Sequence, residues 1–323
     1  TSPASTPVRE LKAVFYTPDE YTSFERLPAI TRTYNQKNYK VSSENAFSPE
    51  HIDEYDLIIL SNPLLAPWLI DAANQCIQKE KPFAIDLDID FYQIGPDHPA
   101  YAHVGPGNQR AIQVLNILLN EAKLVTASSK NLCDRLQAYA KAVEPALPVW
   151  DSGLPGWNRP GPRHSQVQIG WMGSIGDFPD LKYIKTPVEK YLQENPEAVW
   201  VAIGCDEAYD LFDNLPEERR MFLPSPTLES LPYLLSNLDI ILLPMLNNPF
   251  NQSKSDVPLL YAGIRKIPWI ASKNRAVEEW QSGGYIAETK DQWYTHIKTL
   301  AENKELRVQL GEAGKNKAEE RKL

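Results

Sequence analysis

The sequence predicts an α/β protein built from two consecutive doubly wound domains. Short apolar, β-branched-rich runs alternate with amphipathic helical runs along nearly the whole chain. The alternation is interrupted by one stretch, DSGLPGWNRPGPRHS at 151–165, whose glycines and prolines break every hydrophobic period. At 323 residues the chain exceeds one comfortable core, so two domains of about 150 residues each are expected. This reading gives a linker-like lead at 1–10, a first Rossmann-like domain at 11–155 and a second at 156–323. Two such domains facing each other imply a cleft, a preferred place for a small-molecule site.

The elements follow in order. Leu11 to Tyr16 reads as a strand, Phe24 to Asn38 as a helix, Tyr55 to Leu60 as a strand after the turn-like Asp53-Glu54, and Leu65 to Lys79 as a helix. Pro82 to Asp86 is a strand, Asn108 to Ala122 an amphipathic helix, Leu124 to Ala127 a strand, Lys130 to Ala142 a helix, and Pro148 to Trp150 a last short strand. Past the break come the strand Val167 to Trp171, the helix Tyr183 to Glu194, the strand Ala198 to Ile203 and the helix Leu228 to Ser236. Asp239 to Ser272 then reads as one βαβ unit: strand Ile240 to Leu243, polar loop Asn247 to Asp256, helix Lys254 to Ile264, strand Ile267 to Ala271. Two polar amphipathic helices, Asp291 to Asn303 and Glu305 to Glu320, close the chain.

Composition excludes several classes. A net charge of −9 advertises neither nucleic acid nor anionic lipid as a partner. No apolar run approaches the roughly 20 residues that span a bilayer, and the start lacks the pattern of a signal peptide. Cys76, Cys133 and Cys205 are odd in number and widely spaced, as reduced core thiols are. The cytoplasm, with the inner membrane surface included, is the expected compartment. The opening TSPASTPV lacks Met and is rich in Ser, Thr and Pro, which reads as a linker within a longer, multidomain protein.

Five features could carry chemistry. In GWMGSIGDFPD at 170–180 a strand ends at Gly173-Ser174, where backbone can approach a ligand and N–H groups can hold a phosphate; a tight turn reads equally well. The loop before the helix at 254–264 supplies Lys254, Ser255 and Asp256, a cation and hydroxyl suited to a phosphate; a purely structural loop reads equally well. AIDLDIDFY at 84–92 sets Asp86, Asp88 and Asp90 at alternating positions after a strand, where three carboxylates could bind a divalent metal as in the Asp-x-Asp of phosphate-handling enzymes. A dehalogenase-type phosphatase would carry such a motif on its first strand, whereas two strand-helix units precede it here. Bland loop and cap chemistry is the competing reading, and no metal site is expected there or among the five histidines, none of which pairs at ligand spacing. His98 or His103 could still line the cleft, with a surface loop histidine as the competing reading for each. Arg26, near the start of the first helix, could hold a diphosphate or an acidic acceptor with its planar fork, or could simply be a solvated helix residue.

These pieces, in this order, resemble GT-B-fold glycosyltransferases of the family 4-like group (glycosyl transferases group 1). The segments carrying the resemblance are IDLDIDFYQIGPDHPAY, LVTASSKNL, IGWMGS, FNQSKSD and the closing helices with Trp293 and Arg307. The resemblance covers nearly the whole chain. It implies transfer of a sugar from a nucleotide-diphosphate donor to a glycan, lipid-linked or protein acceptor, generally with retention and without an obligatory metal or other cofactor. It places Gly173, Ser174, Asp180, Lys254, Ser255, Asp256 and Tyr261 on the donor side, with Asp88, His98 and Arg26 as the candidate catalytic and acceptor-side residues.

The chain also departs from the family pattern. Tyr261 stands where a ribose-binding Glu is usual, Ser253 at an earlier acidic position, Pro258 at a Lys and Lys266 at a Gly. Ser174 and Asp180 replace an Arg and a Lys that many relatives use for diphosphate. Charge-assisted bonds of this kind are worth about 1.5–3 kcal/mol each. Their loss sets up a second reading, a catalytically degenerate GT-B module acting as a binding or scaffolding domain.

Overall fold

The computed structural model describes residues 9–44, 46–153, 156–159, 161–162 and 164–323. Most of the expected lead, and residues 154, 155, 160 and 163 of the expected boundary stretch, therefore lie outside the described residues. The chain forms two compact units. The first runs to Ile89 and resumes at Gln109–Leu147; the second takes Asp90–Asn108 and Pro148–Leu323.

The first unit holds a parallel sheet of β1 (Leu11–Tyr16), β2 (Tyr39–Glu44), β3 (Leu57–Ser61), β4 (Phe83–Leu87), β5 (Leu124–Ala127) and β6 (Val143–Pro145). Their order across the sheet is β2-β1-β3-β4-β5-β6. β3 and β4 are buried at every position, as a parallel strand covered on both faces must be. β2 was not expected from the sequence: YKVSSE is an edge strand, half exposed and polar, whose pairing with β1 is mostly a backbone matter. The strand expected at 148–150 is likewise corrected. The last ladder is β6, five residues earlier in its start, and Trp150 instead makes an isolated bridge to Lys322.

The second unit holds β7 (Gln168–Met172), β8 (Val199–Ile203), β9 (Arg220–Leu223), β10 (Ile240–Leu243), β11 (Trp269–Ser272) and β12 (Gly284–Ala287). All pair in parallel, in the order β12-β11-β10-β7-β8-β9. That is the dinucleotide-fold order, in which the winding direction reverses between β7 and β10. Trp200, Phe212 and Trp293 fill its core between sheet and helices. The helix expected over 183–194 forms as Lys185–Glu194, and a separate short helix not expected from the sequence, Phe178–Tyr183, precedes it. The helix expected from Lys254 begins at Val257, where Pro258 in the first turn needs no backbone partner, so Lys254 and Ser255 are left in the loop.

Candidate functional site

In a doubly wound sheet the ligand crevice opens at the carboxyl ends of the two strands where winding reverses. In the second unit those strands are β7 and β10. The loop after β7 carries Gly173, Ser174 and Asp177, and the loop after β10 runs from Pro244 to Asp256 with Lys254 near its end.

Gly173 is required by space, since a Cβ there would lie 2.3 Å from the Trp171 ring. Its carbonyl is crowded in turn by the end of β8, where Gly204 adopts φ +91° and a Cβ would lie 2.8 Å from that oxygen.

Asp180 brackets the two loops together. Buried at 5% exposure, its Oδ1 accepts from the Leu246 N–H and from Asn251 Nδ2, both at 2.8 Å, while Oδ2 lies 3.5 Å from Lys254 Nζ. Burial raises its pKa above the ordinary carboxylate value, against the pull of Lys254. Asn248 caps the short turn Pro249–Gln252 by accepting from the Asn251 N–H, which fixes Asn251 for its bond to Asp180. Lys254 Nζ reaches Asp177 Oδ1 at 2.9 Å and stands 5.5 Å from the Phe250 ring. The Asp177 carboxylate also accepts from Ser174, through its N–H at 3.1 Å and its hydroxyl at 2.8 Å. Burial alone would raise the Asp177 pKa, but Lys254 and Ser174 outweigh it and hold the carboxyl below the ordinary value.

The segment 90–108 packs on these loops. Ser253, buried, donates its hydroxyl to Asp90 at 2.9 Å. The His98 ring meets Phe250 edge to face at 5.3 Å. A Cβ on Gly176 would lie 2.6 Å from His98 Nε2, so glycine is what lets the imidazole lie against the loop after β7. His98 Nδ1 accepts from the Ala100 N–H, which leaves the proton of the neutral ring on Nε2. Burial lowers the His98 pKa from its ordinary 6.5. The unfolded chain therefore takes up this proton first as pH falls. The contribution of His98 to stability is full above about pH 6.5 and declines as pH drops from there through the folded value. A ring-proton NMR titration is expected to place the midpoint below 6.5; a midpoint at or above it would contradict this environment.

The remaining sequence candidates lie elsewhere. Asp256 is buried and paired with Arg321 at 3.0 Å, which ties the start of the helix Val257–Ile264 to the end of the chain; Ser255 is half-buried beside it. Tyr261 is 5% exposed and lies against the Trp157 ring at a centroid distance of 5.2 Å. In the first unit Arg26 is wholly buried. It donates through Nε and Nη2 to both oxygens of Asp86 at 2.8 Å and through Nη1 to the Ala146 carbonyl at 3.0 Å, and Thr126 donates to the same Asp86. These bonds place Arg26 in the interior of its unit as a tie among its helix, Glu20–Asn35, β4 and Ala146 just past β6.

Asp88 stands at the end of β4, gripped by Asn62: Nδ2 of Asn62 donates to Oδ1 at 2.7 Å, and the Asp88 N–H donates to Oδ1 of Asn62 at 3.2 Å. Asn62 does this from a left-handed backbone, φ 45° and ψ 57°, a conformation asparagine tolerates better than most residues. Burial raises the Asp88 pKa, with Arg26 opposing and Asp86 adding to the rise. Among the described residues no group of three or more acidic, histidine or cysteine side chains is arranged to hold a metal.

No protein-family model matches the chain, and no curated protein sequence matches it. Solved structures do. A glycosyltransferase from Rickettsia africae ESF-5 superposes with a TM-score of 0.63 at 11% identity, over 97% of this chain and 94% of that one. HepE from Anabaena, solved with UDP and glucose and again with UDP-glucose, gives 0.67 at 15% identity over 96% and 95%. The chain has the GT-B fold. MnaA from S. aureus, in a co-structure with UDP, is a further GT-B likeness at a TM-score of 0.51 and 11% identity over 96% and 94%.

Within the GT-B fold the second unit brings together Gly173, Ser174, Asp180, Lys254 and His98 from the sequence candidates, and leaves Tyr261 and Asp256 on structural partners. Asp177, Phe250 and Asn251 were not singled out from the sequence. Asp177 stood inside the quoted Gly-Ser segment, three residues after Ser174, and the S-x-x-D spacing by which it bonds back to Ser174 was its available signal.

Proposed function

We propose that this chain is a glycosyltransferase that binds a nucleotide-diphosphate sugar at the β7–β10 reversal of its second unit. The sugar passes to a glycan, lipid-linked or protein acceptor, with retention and without an obligatory metal, in the cytoplasm or at the inner membrane surface. The observation that carries this reading is the convergence of Ser174 and Lys254, from the two loops at the reversal, on one anion position. The fold supports it, as does the UDP or UDP-glucose bound to HepE and MnaA.

The chemistry asked of the site is stabilisation of a leaving diphosphate. Charge that grows on the departing oxygen is met by the Lys254 ammonium and the Ser174 N–H, which are already in place. His98, neutral and carrying its proton on Nε2, adds a donor beside them. The acceptor hydroxyl loses its proton to the departing phosphate as the new glycosidic bond forms, so no paired carboxylates are needed. Asp88, fixed by Asn62, is the candidate for holding the acceptor.

One observation favours the second reading, a non-catalytic binding module. Tyr261, at the ribose-binding position, is buried against Trp157 and offers no carboxylate. A panel of UDP-, GDP- and dTDP-sugars separates the two. Saturable binding with slow donor hydrolysis is expected for the enzyme, binding without turnover for the module, and silence across the panel would remove the donor site altogether.

A further inference from the structure

The anion position at the β7–β10 reversal is filled by the protein itself. Three donors that would suit two phosphate oxygens, the Ser174 N–H, the Ser174 hydroxyl and the Lys254 ammonium, all point at the Asp177 carboxylate. Neither end is sealed, since the side chains of Lys254 and Asp177 are 28% and 37% exposed. The charge balance is equally telling. One lysine faces two carboxylates, Asp177 and Asp180. Asp180 is committed to holding the loops together through Leu246 and Asn251, whereas Asp177 is bonded to the very groups a phosphate needs. A diphosphate arriving beside an undisplaced Asp177 would meet net negative charge, and like charges in a partly desolvated site repel strongly.

We propose that Asp177 is an internal counter-ion that competes with the ligand's phosphate for Ser174 and Lys254, so that nucleoside diphosphate binding requires its carboxylate to swing away. Because Asp177 sits three residues from Ser174, it competes at the high effective concentration of an intramolecular group. Donor affinity is thereby held below what the same donors would give unopposed. The discrimination falls on the phosphates and leaves the nucleoside untouched.

This inference rests on the donor-site reading above, and the experiment keeps the two apart. Calorimetric titration of the full chain with UDP and, separately, with uridine would be run on the wild type, Asp177→Asn and Asp177→Ala. Asp177→Asn keeps the shape of the side chain and removes its charge; circular dichroism melting reports whether each variant is folded. Both variants are expected to bind UDP about tenfold tighter or more, with uridine binding unchanged. Wild-type binding of UDP with equal or weaker binding by both variants would overturn the counter-ion and leave the donor site standing. Equal tightening for UDP and uridine would also overturn it, since a loosened loop favours both ligands. Failure of UDP to bind any of the three proteins would overturn the inference together with the reading beneath it.

Discussion

Arg26→Met is expected to destabilise the first unit by about 3–5 kcal/mol, because it strands the Asp86 carboxylate in the interior. Arg26 and Asp86 are 1% and 0% exposed. The guanidinium supplies Asp86 with two of its hydrogen bonds, and Thr126 supplies a third. Without the arginine the carboxylate must either remain charged in a poor medium or bind a proton at neutral pH, and each costs stability. For a unit of this size the loss corresponds to a fall in melting temperature of roughly 2–4 °C per kcal/mol, read by differential scanning calorimetry. The double variant Arg26→Met with Asp86→Leu should recover much of the loss, since an apolar pair of similar volume often matches a buried ion pair. A single variant that melts like the wild type would contradict the burial of this pair.

The second large effect concerns binding. Lys254→Ala is expected to weaken UDP binding about 10- to 100-fold, the worth of one charge-assisted bond, while uridine binding stays near the wild-type value. Lys254 is the ammonium that joins the two loops at the sheet reversal, with Asp177 at 2.9 Å and Asp180 at 3.5 Å. Calorimetry with both ligands separates loss of a phosphate contact from general loosening of the loop. Equal loss for UDP and uridine would assign Lys254 to loop structure; unchanged UDP affinity would move the phosphates away from it.

How much of this was readable follows from burial. The eight strands anticipated near their true positions are the inner strands of the two sheets, β1, β3, β4 and β5, and β7, β8, β10 and β11. Covered on both faces, they must be apolar almost throughout, and a run such as Ile240–Leu243 announces itself. The four that were missed or misplaced, β2, β6, β9 and β12, are the four sheet edges. An edge strand pairs on one side only and tolerates polar or small residues, as in YKVSSE and GYIA, so no hydrophobic period marks it.

The site divides in a similar way. Gly173, Ser174 and Lys254 were legible because their chemistry is local to two loops. Arg26 was not, because its chain neighbours look like a solvated helix turn and its true partner lies 60 residues away at Asp86. Tyr261 illustrates the same limit, since only the fold could show that its ring faces Trp157.

The assignment of Asp90–Asn108 to the second unit has a practical meaning for dissection of this molecule. Neither unit is a contiguous piece of chain, because the polypeptide leaves the first after Ile89, returns at Gln109 and leaves again after Leu147. A fragment cut at 148 or at 156 would carry β7 to β12 but lose Asp90, the acceptor of the Ser253 hydroxyl, and His98, the partner of Phe250. Its Lys254 loop would be missing a packed wall, so weak nucleotide binding by such a fragment would measure the cut and not the intact chain. During synthesis the order is reversed: the wall emerges from the ribosome long before the loops it supports, and must wait for them.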